Sequence, residues 1–285
     1  MERFIKKNFN QKECTRFVPF PNQQVKMRKE LKCYCGGVLK EHRKESEKHD
    51  LIPCELKDIM AKENQPPPKD LPSLQDNWSK DKYIEEDTTC TFGKINFFNL
   101  EHKGETKPAK YIRLSDTDSV KKVLKLMEKY WHMDPKAANL VISVVGGAKN
   151  FKLDGRMRDT FNNGLIRAAK TTNAWLITSG FNTGVMKFVG QAVRQGQSFS
   201  WDNDRMTHLL RCIGIAPWGY VKDRCFLEGN HEKDKFPACI ETSNVIEHGR
   251  ALPLNPDHTH FIFVDNGIRN HYEGVDVFRA QLEKK

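Results

Sequence analysis

The chain has 285 residues, with 47 lysines and arginines against 37 aspartates and glutamates and a formal net charge of +10. A hydrophobic content of 38% and a charged content of 29% exclude wholesale disorder and collagen-like or coiled-coil architectures. The length allows one large globular domain or two modest ones.

The sequence carries no signal for membrane insertion or secretion. Its longest apolar run, residues 140–145, is interrupted by Ser143, whereas a membrane-spanning helix needs about 20 apolar residues. The basic N-terminus is not followed by the apolar stretch of a secretory signal. With eight cysteines and no signal peptide, we expect reduced thiols, a cytosolic location, and a soluble chain that does not itself insert into a membrane.

Most of the basic excess lies in the later part of the chain. Residues 1–90 contain 18 basic and 16 acidic side chains, so residues 91–285 carry most of the net charge. Such an excess can attract nucleic acid, anionic lipid or a phosphorylated small molecule, or it can be a solvated surface. Because the basic residues are scattered and no known motif interleaves them with aromatics, we do not expect a nucleic-acid partner.

Two regions meet near residue 90. Residues 1–90 are expected to be an irregular N-terminal segment with a Cys-x-Cys pair and a proline-rich linker at 65–68. Residues 91–285 alternate strands and helices, which predicts a parallel sheet with flanking helices, a Rossmann-like α/β fold. The predicted elements are a β-hairpin at 92–98 and 109–114, strands at 139–145, 174–178, 211–216 and 260–265, and helices around 120–127, 156–170 and 185–194. We expect strand 139–145 to be buried on both faces.

Four of these strands are followed by unusual loops. The loops are residues 146–150, 179–184, 216–219 and 265–267. Ligands of open parallel sheets bind beyond the carboxyl ends of the strands. Glycines allow close approach of the backbone, and a helix beginning near Thr183 adds its positive end, so the first two loops favour a phosphate. Neither matches the Walker or the full dinucleotide pattern, so tight strand-to-helix turns are the alternative interpretation.

These segments resemble the cytosolic N-terminal homology region of melastatin-type transient receptor potential (TRPM) channels. The resembling motifs are Val144–Phe151, Gly164–Gly180, Asn182–Gly190, Ile213–Gly219, His258–Gly267 and Gln281–Lys284, with Phe4–Cys14 and Cys33–Gly36 in the first region. The resemblance runs in order over nearly the whole chain. It implies a SLOG domain, a Rossmann-like nucleotide-sensing fold, and the loop at 146–151 has the form closest to the ADP-ribose-sensing members.

The resemblance also implies a ligand site and partners. The implied ligand-binding residues are Gly146, Gly147, Ala148, Asn150, Gly180, Asn182, Thr183, Gly184, Trp218, Arg224 and Arg279. Arginine suits such a site because its planar guanidinium group can donate hydrogen bonds to two phosphate oxygens at once. The implied partners are ADP-ribose or a related adenine nucleotide, the remainder of a calcium-permeable TRPM channel subunit and the neighbouring subunits of a tetramer, at the cytoplasmic face of the plasma membrane. No cofactor is implied.

The sequence departs from the family at its end. The chain stops at Lys285, where the family continues into a strand with a Gly-Gly-x-Gly-Thr turn, and it has no pore helices. We therefore interpret it as a fragment, an incomplete gene model or a short relative, with an incomplete nucleotide cleft. We expect the sheet to end at strand 260–265 and to leave one edge unpaired and apolar.

No enzymatic activity is expected. Relatives of this fold that cleave nucleoside monophosphates carry a glutamate after a Pro-Gly-Gly-x-Gly-Thr turn, which does not occur here. His258, His260, Asp154 and Asp265 lie near strand ends, but none completes a set of nucleophile, base and orienting group. Two alternatives stay open: a nucleotide-processing enzyme of the same fold, and a channel assembly module that binds no nucleotide.

A zinc site in the first region is a further possibility. Cys14, Cys33 and Cys35 with His42 or His49 would supply four ligands suited to tetrahedral zinc. The Cys-x-Cys spacing is shorter than the usual gap and only one such pair occurs, which favours free buried thiols. No metal site is therefore predicted.

Overall fold

The computed structural model describes residues 1–42, 50–69, 71–72, 74, 78–98, 108–198, 210–232, 237–242 and 251–284. The helices are α1 Glu2–Asn8, α2 Cys54–Met60, α3 Lys80–Tyr83, α4 Val120–Trp131, α5 Gly155–Thr171, α6 Gly184–Ser198 and α7 Val275–Glu283. The strands are β1 Asn10–Cys14, β2 Ile84–Thr88, β3 Phe92–Phe98, β4 Ala109–Ser115, β5 Val141–Ser143, β6 Trp175–Thr178, β7 Arg211–Pro217, β8 Asn230–His231, β9 Ala238–Glu241 and β10 His260–Asp265. None of the helices in this part of the chain is long and apolar enough to cross a membrane.

An eight-stranded sheet forms the centre of the fold. Its order is β5-β6-β7-β10-β4-β3-β8, and β9 also pairs with β3. The five strands from β5 to β4 are parallel, and β3 and β4 form the predicted antiparallel hairpin, with Phe92 opposite Ile112. The Rossmann-like α/β class is therefore confirmed.

Cores lie on both faces of this sheet. Ile262 and Val264 of β10 belong to a core with α4 and α7, whereas Phe261 and Phe263 belong to a core on the opposite face. This division follows from the alternation of side chains along a strand. A third core, between α5, α6 and strands β6 and β7, completes the second face.

Two expectations about the sheet edge are wrong. Strand β10 does not end the sheet; it lies between β7 and β4, and its residues are buried. The run at 139–145 is not buried on both faces, because β5 is the terminal strand and leaves Leu140 and Val145 45% and 78% exposed. Hydrophobicity alone does not distinguish a central strand from a terminal one, since strand order depends on the path of the crossovers.

The first region contains more regular structure than its sequence predicts. Strand β1 pairs antiparallel with β2, some 70 residues later, with Asn10 opposite Thr88. A separate small core lies in this region around Phe17, Leu31 and Leu56. The region is joined to the large sheet through Arg113 of β4, whose Nη2 donates to the carbonyl of Lys12 at 2.9 Å.

Candidate functional site

The two glycine loops meet at the N-terminus of α6. Gly184 has φ +52°, and a Cβ there would overlap the carbonyl oxygen of Gly147. A Cβ on Gly146 would lie 2.6 Å from Cγ1 of Val185. The side chain of Asn150 joins the loops directly, since its Oδ1 accepts a hydrogen bond from the Gly184 N–H at 2.9 Å. The structure therefore brings together four of the predicted residues at one helix end.

The two loops differ in exposure. Residues 145–150, including Ala148, are exposed, whereas residues 179–184 are buried. Gly180 has φ +77° and its N–H donates to Thr178 Oγ1 at 2.8 Å. The backbone N–H of Asn182 donates to the carbonyl of Pro253 at 2.8 Å. The second loop is thus held in place by hydrogen bonds of its backbone. The first loop packs against it and faces solvent.

Two buried hydroxyl groups lie within the second loop without a hydrogen-bond partner among the described residues. Thr183 is fully buried and Ser179 is 8% exposed, and neither Oγ has a partner there. Buried hydroxyls are normally hydrogen-bonded, because an unpaired one costs about 1–3 kcal/mol. Thr183 directly precedes α6, so its unused hydrogen-bonding capacity lies where anions are favoured, whereas Ser179 lies at the start of the same loop.

A pocket of about 370 Å³ opens beside this helix end. Asn150 and Gly184 line it, and so do three cationic side chains that are not among the predicted site residues, Lys152, Arg158 and Lys187. None of the described residues that line the pocket is acidic. The only available sequence signal was the placement of Lys152 just after the first loop and of Lys187 on the first turn of α6.

Two aromatic rings also line this pocket. Phe151 and Phe188 lie with their ring centroids 5.2 Å apart, and the ring of Phe151 is half exposed. The volume falls within the range of small-molecule sites. Three cations attract phosphate, and a half-exposed aromatic ring offers a surface on which a base can stack. We refer to this site, lined by residues 150–153, Arg158 of α5, and Gly184, Lys187, Phe188 and Gln191 of α6, as the α6 pocket.

Arg279 lies at the carboxyl ends of β5 and β6 but has protein partners there. Its Nη2 donates to Ser143 Oγ at 2.7 Å and to the carbonyls of Val144 and Ile177 at 3.2 and 3.1 Å. Its Nε donates to Glu283 at 2.8 Å. Arg279 therefore anchors the strand end from which the first glycine loop departs.

The contacts of Trp218 and Arg224 are with other parts of the fold. The guanidinium of Arg113 lies 4.7 Å from the centroid of the Trp218 ring, which is buried. Arg224 donates to Glu41 of the N-terminal region at 2.7 Å. Arg224 thus helps to attach the N-terminal region to the large sheet, whereas Trp218 packs against Arg113 of β4.

The acidic and imidazole groups near the strand ends have structural partners. Asp154 caps α5 by accepting from the Met157 N–H at 2.8 Å, and Asp265 pairs with Arg113 at 2.6 Å. Burial lowers the pKa of His258 and of His260 to about 3, so both imidazoles are neutral near pH 7. The His258 ring hydrogen-bonds Thr178 at 2.7 Å and thereby supports the second glycine loop.

Comparison with known proteins identifies similar sequences. The family described as "SLOG in TRPM" matches residues 109–285. The chain is 35% identical over 99% of its length to a TRPM member-like 2 channel of Nematostella vectensis, covering 16% of that protein. It is 33% identical to the mouse (Mus musculus) subfamily M member 6 and member 2 channels, covering 12% and 16% of them. The chain thus spans less than a fifth of these relatives, and the identity to member 2 equals that to member 6.

Proposed function

The chain belongs to the SLOG in TRPM family, and from this premise we propose that it is the nucleotide-sensing N-terminal region of a TRPM-like calcium-permeable cation channel. The proposed ligand is ADP-ribose or a related adenine nucleotide. The proposed partners are the rest of the channel subunit and its neighbours in a tetramer, on the cytoplasmic face of the plasma membrane.

The observation that carries this proposal is the α6 pocket. It combines a helix N-terminus, a fixed glycine loop and three cations, which are features of sites that bind phosphate groups. In the proposed mode the phosphates lie against Lys187 and the Gly146–Gly147 backbone, and the base lies on Phe151. The family's other expected contacts, Trp218, Arg224 and Arg279, would need to exchange their present partners to reach the same ligand.

We propose no catalytic step. The mechanism is binding alone, in which the nucleotide bridges the first glycine loop and α6. The acid and imidazole groups near the strand ends support this interpretation, because each has a structural partner, which for His260 is the hydroxyl of Thr259. Incubation with ADP-ribose or nucleoside monophosphates, followed by chromatography, should give no more product than a heat-killed sample. Turnover above that sample would favour the enzyme alternative.

Isothermal titration of the chain with ADP-ribose, AMP and inorganic pyrophosphate tests the proposal. We expect saturable binding of ADP-ribose that weakens about tenfold or more in Lys187→Gln, because one charge-assisted contact to phosphate is lost. Lys125→Gln is the matched control, since it removes the same charge from the exposed side of α4. An absence of heat and of thermal shift at millimolar ligand would contradict nucleotide sensing and favour a channel assembly module.

A further inference from the structure

Three cysteines and one histidine of the N-terminal region converge in the structure. Cys14 ends β1, Cys33 begins a tight turn that contains Cys35, and His42 follows a short 3₁₀ turn at Leu39–Glu41. In the turn, Gly36 has φ +83° and its N–H donates to the carbonyl of Cys33 at 2.7 Å. The turn directs both Cys-x-Cys sulfurs toward Cys14. His49, the other histidine considered from sequence, lies outside the described residues.

The distances among the four groups suit a tetrahedral ion. The three Sγ atoms and the imidazole nitrogen all lie within 4.8 Å of one another, and Cys35 Sγ lies 3.3 Å from His42 Nε2. A tetrahedral zinc bonded at about 2.3 Å to sulfur and 2.0 Å to nitrogen places two sulfurs about 3.8 Å apart. The same geometry places sulfur and nitrogen about 3.5 Å apart. Sub-ångström movements of the side chains would complete such a site.

The orientation of the imidazole is fixed by a second contact. Nδ1 of His42 lies 2.8 Å from the carbonyl oxygen of Val38, which can only accept, so Nδ1 carries the proton. In the neutral ring the lone pair is then on Nε2, which faces Cys35. Metal-binding histidines are held in this way, with the other ring nitrogen donating to a carbonyl or carboxylate.

Each sulfur also lies close to an N–H donor. Such donors stabilise the negative charge of a metal-bound thiolate. The pairs are Trp78 Nε1 to Cys14 at 3.4 Å, Val18 N to Cys33 at 3.3 Å and Gly37 N to Cys35 at 3.4 Å. The carbonyl oxygen of Arg16 lies 3.3 and 3.4 Å from the sulfurs of Cys14 and Cys33.

All four groups are buried, with exposed fractions of 5% for Cys14, 0% for Cys33, 3% for Cys35 and 5% for His42. The small core around them is separate from the cores of the large sheet. A small core of this kind gains little stability from apolar burial alone, and natural domains often add a metal or disulfides. A bound ion would join segments of this region that lie far apart in sequence.

We propose that Cys14, Cys33, Cys35 and His42 bind one structural zinc ion. Three thiols release their protons to solvent as the ion binds, and the neutral imidazole supplies the fourth ligand. Three thiolates and one imidazole in a closed tetrahedron fit zinc better than calcium or magnesium, which prefer oxygen ligands. Because the Arg269 N–H donates to the carbonyl of Cys35 at 2.7 Å, the ion also holds the N-terminal region against the carboxyl side of β10.

Elemental analysis of the full chain, purified without chelator under reducing conditions, tests this assignment. We expect about one zinc per chain, falling at least tenfold in Cys35→Ser because a three-ligand site is left. His42→Cys should retain the metal, since four thiolates also form a closed zinc site. Cys212→Ser is the matched control: it removes a fully buried thiol from a different core and should leave the zinc content unchanged.

A cobalt titration of the unaltered protein keeps the proposal testable if Cys35→Ser does not fold. Co²⁺ exchanged for zinc should give the intense visible absorption of tetrahedral thiolate coordination, and added zinc should abolish it. A zinc content in the parent no higher than in Cys35→Ser would overturn the proposal. So would a disulfide between any two of the three cysteines in protein kept anaerobic throughout.

Discussion

Acidification should destabilise this fold through two buried histidines. His258 and His260 are fully inside the structure, and burial lowers the pKa of each imidazole from 6.5 to about 3. Lys110 and Arg211 add a smaller effect in the same direction at His260. As the pH falls, the unfolded chain therefore binds a proton at each imidazole before the folded protein does. The contribution of the neutral rings to the free energy of unfolding is complete above about pH 6.5 and is lost as the pH falls toward 3.

The size of the effect follows from these values. For a pKa of 6.5 in the unfolded chain and about 3 in the folded protein, lowering the pH from 7 to 5 costs about 2 kcal/mol per histidine. Two independent sites would cost about 4 kcal/mol, which is a large share of the 5–15 kcal/mol typical of a domain. Burial raises the pKa of Asp257. Protonation of this carboxyl at lower pH therefore favours the folded state and opposes the effect of the histidines.

Urea unfolding of the parent and of His258→Gln at pH 7 and pH 5 separates these contributions. Glutamine keeps a side-chain group able to hydrogen-bond Thr178 but does not titrate. The decrease in the free energy of unfolding between pH 7 and pH 5 should therefore be smaller by about 2 kcal/mol in this variant. His132→Asn is the control, because His132 is exposed and caps α4 in a left-handed conformation that asparagine accepts. Equal losses of stability in the parent and His258→Gln would refute the argument that burial holds this ring neutral.

The remaining predictions concern the glycine loops and the buried ion pair. Gly184→Ala should destabilise the fold by about 1–3 kcal/mol, because residue 184 has a positive φ and its Cβ would meet the carbonyl of Gly147. Gly164→Ala should instead stabilise the fold by about 0.5–1 kcal/mol, because a Cβ at this position of α5 has open space around it. Denaturant unfolding measures both, and effects of the same sign would contradict the loop contact. Arg113→Met should cost about 3–5 kcal/mol, since it leaves Asp265 buried without its cation. Adding Asp265→Asn should recover part of that loss in the same assay, and no recovery would argue against an unpaired charge as the cause.

Local pattern determines much of the candidate site. The glycines at 146–147 and 180–184 interrupt apolar strands, and the structure places these loops against each other at the start of α6. This was predictable because the carboxyl ends of neighbouring parallel strands share one edge of a sheet. The cations of the α6 pocket were not predictable, because nothing in the local sequence tells which exposed lysines face a ligand and which face bulk solvent.

The resemblance located residues that the tertiary structure arranges differently. Arg224 and Trp218 follow the strand end at 216–219, but their partners, Glu41 and Arg113, come from the N-terminal region and from β4. A family motif fixes the position of a side chain along the chain. The partner of that side chain depends on which distant segment packs over it.

The sequence by itself determined the alternation of strands and helices, and with it the parallel α/β class, because hydrophobic periodicity reports how each element is buried. Only the tertiary structure decided that β10 is central and β5 terminal, that β1 pairs with β2, and that Cys14 lies beside the Cys-x-Cys turn. These relations join residues tens to hundreds of positions apart. The contacts that stabilise these arrangements form only when the whole chain is packed, so no local window of the sequence can predict them.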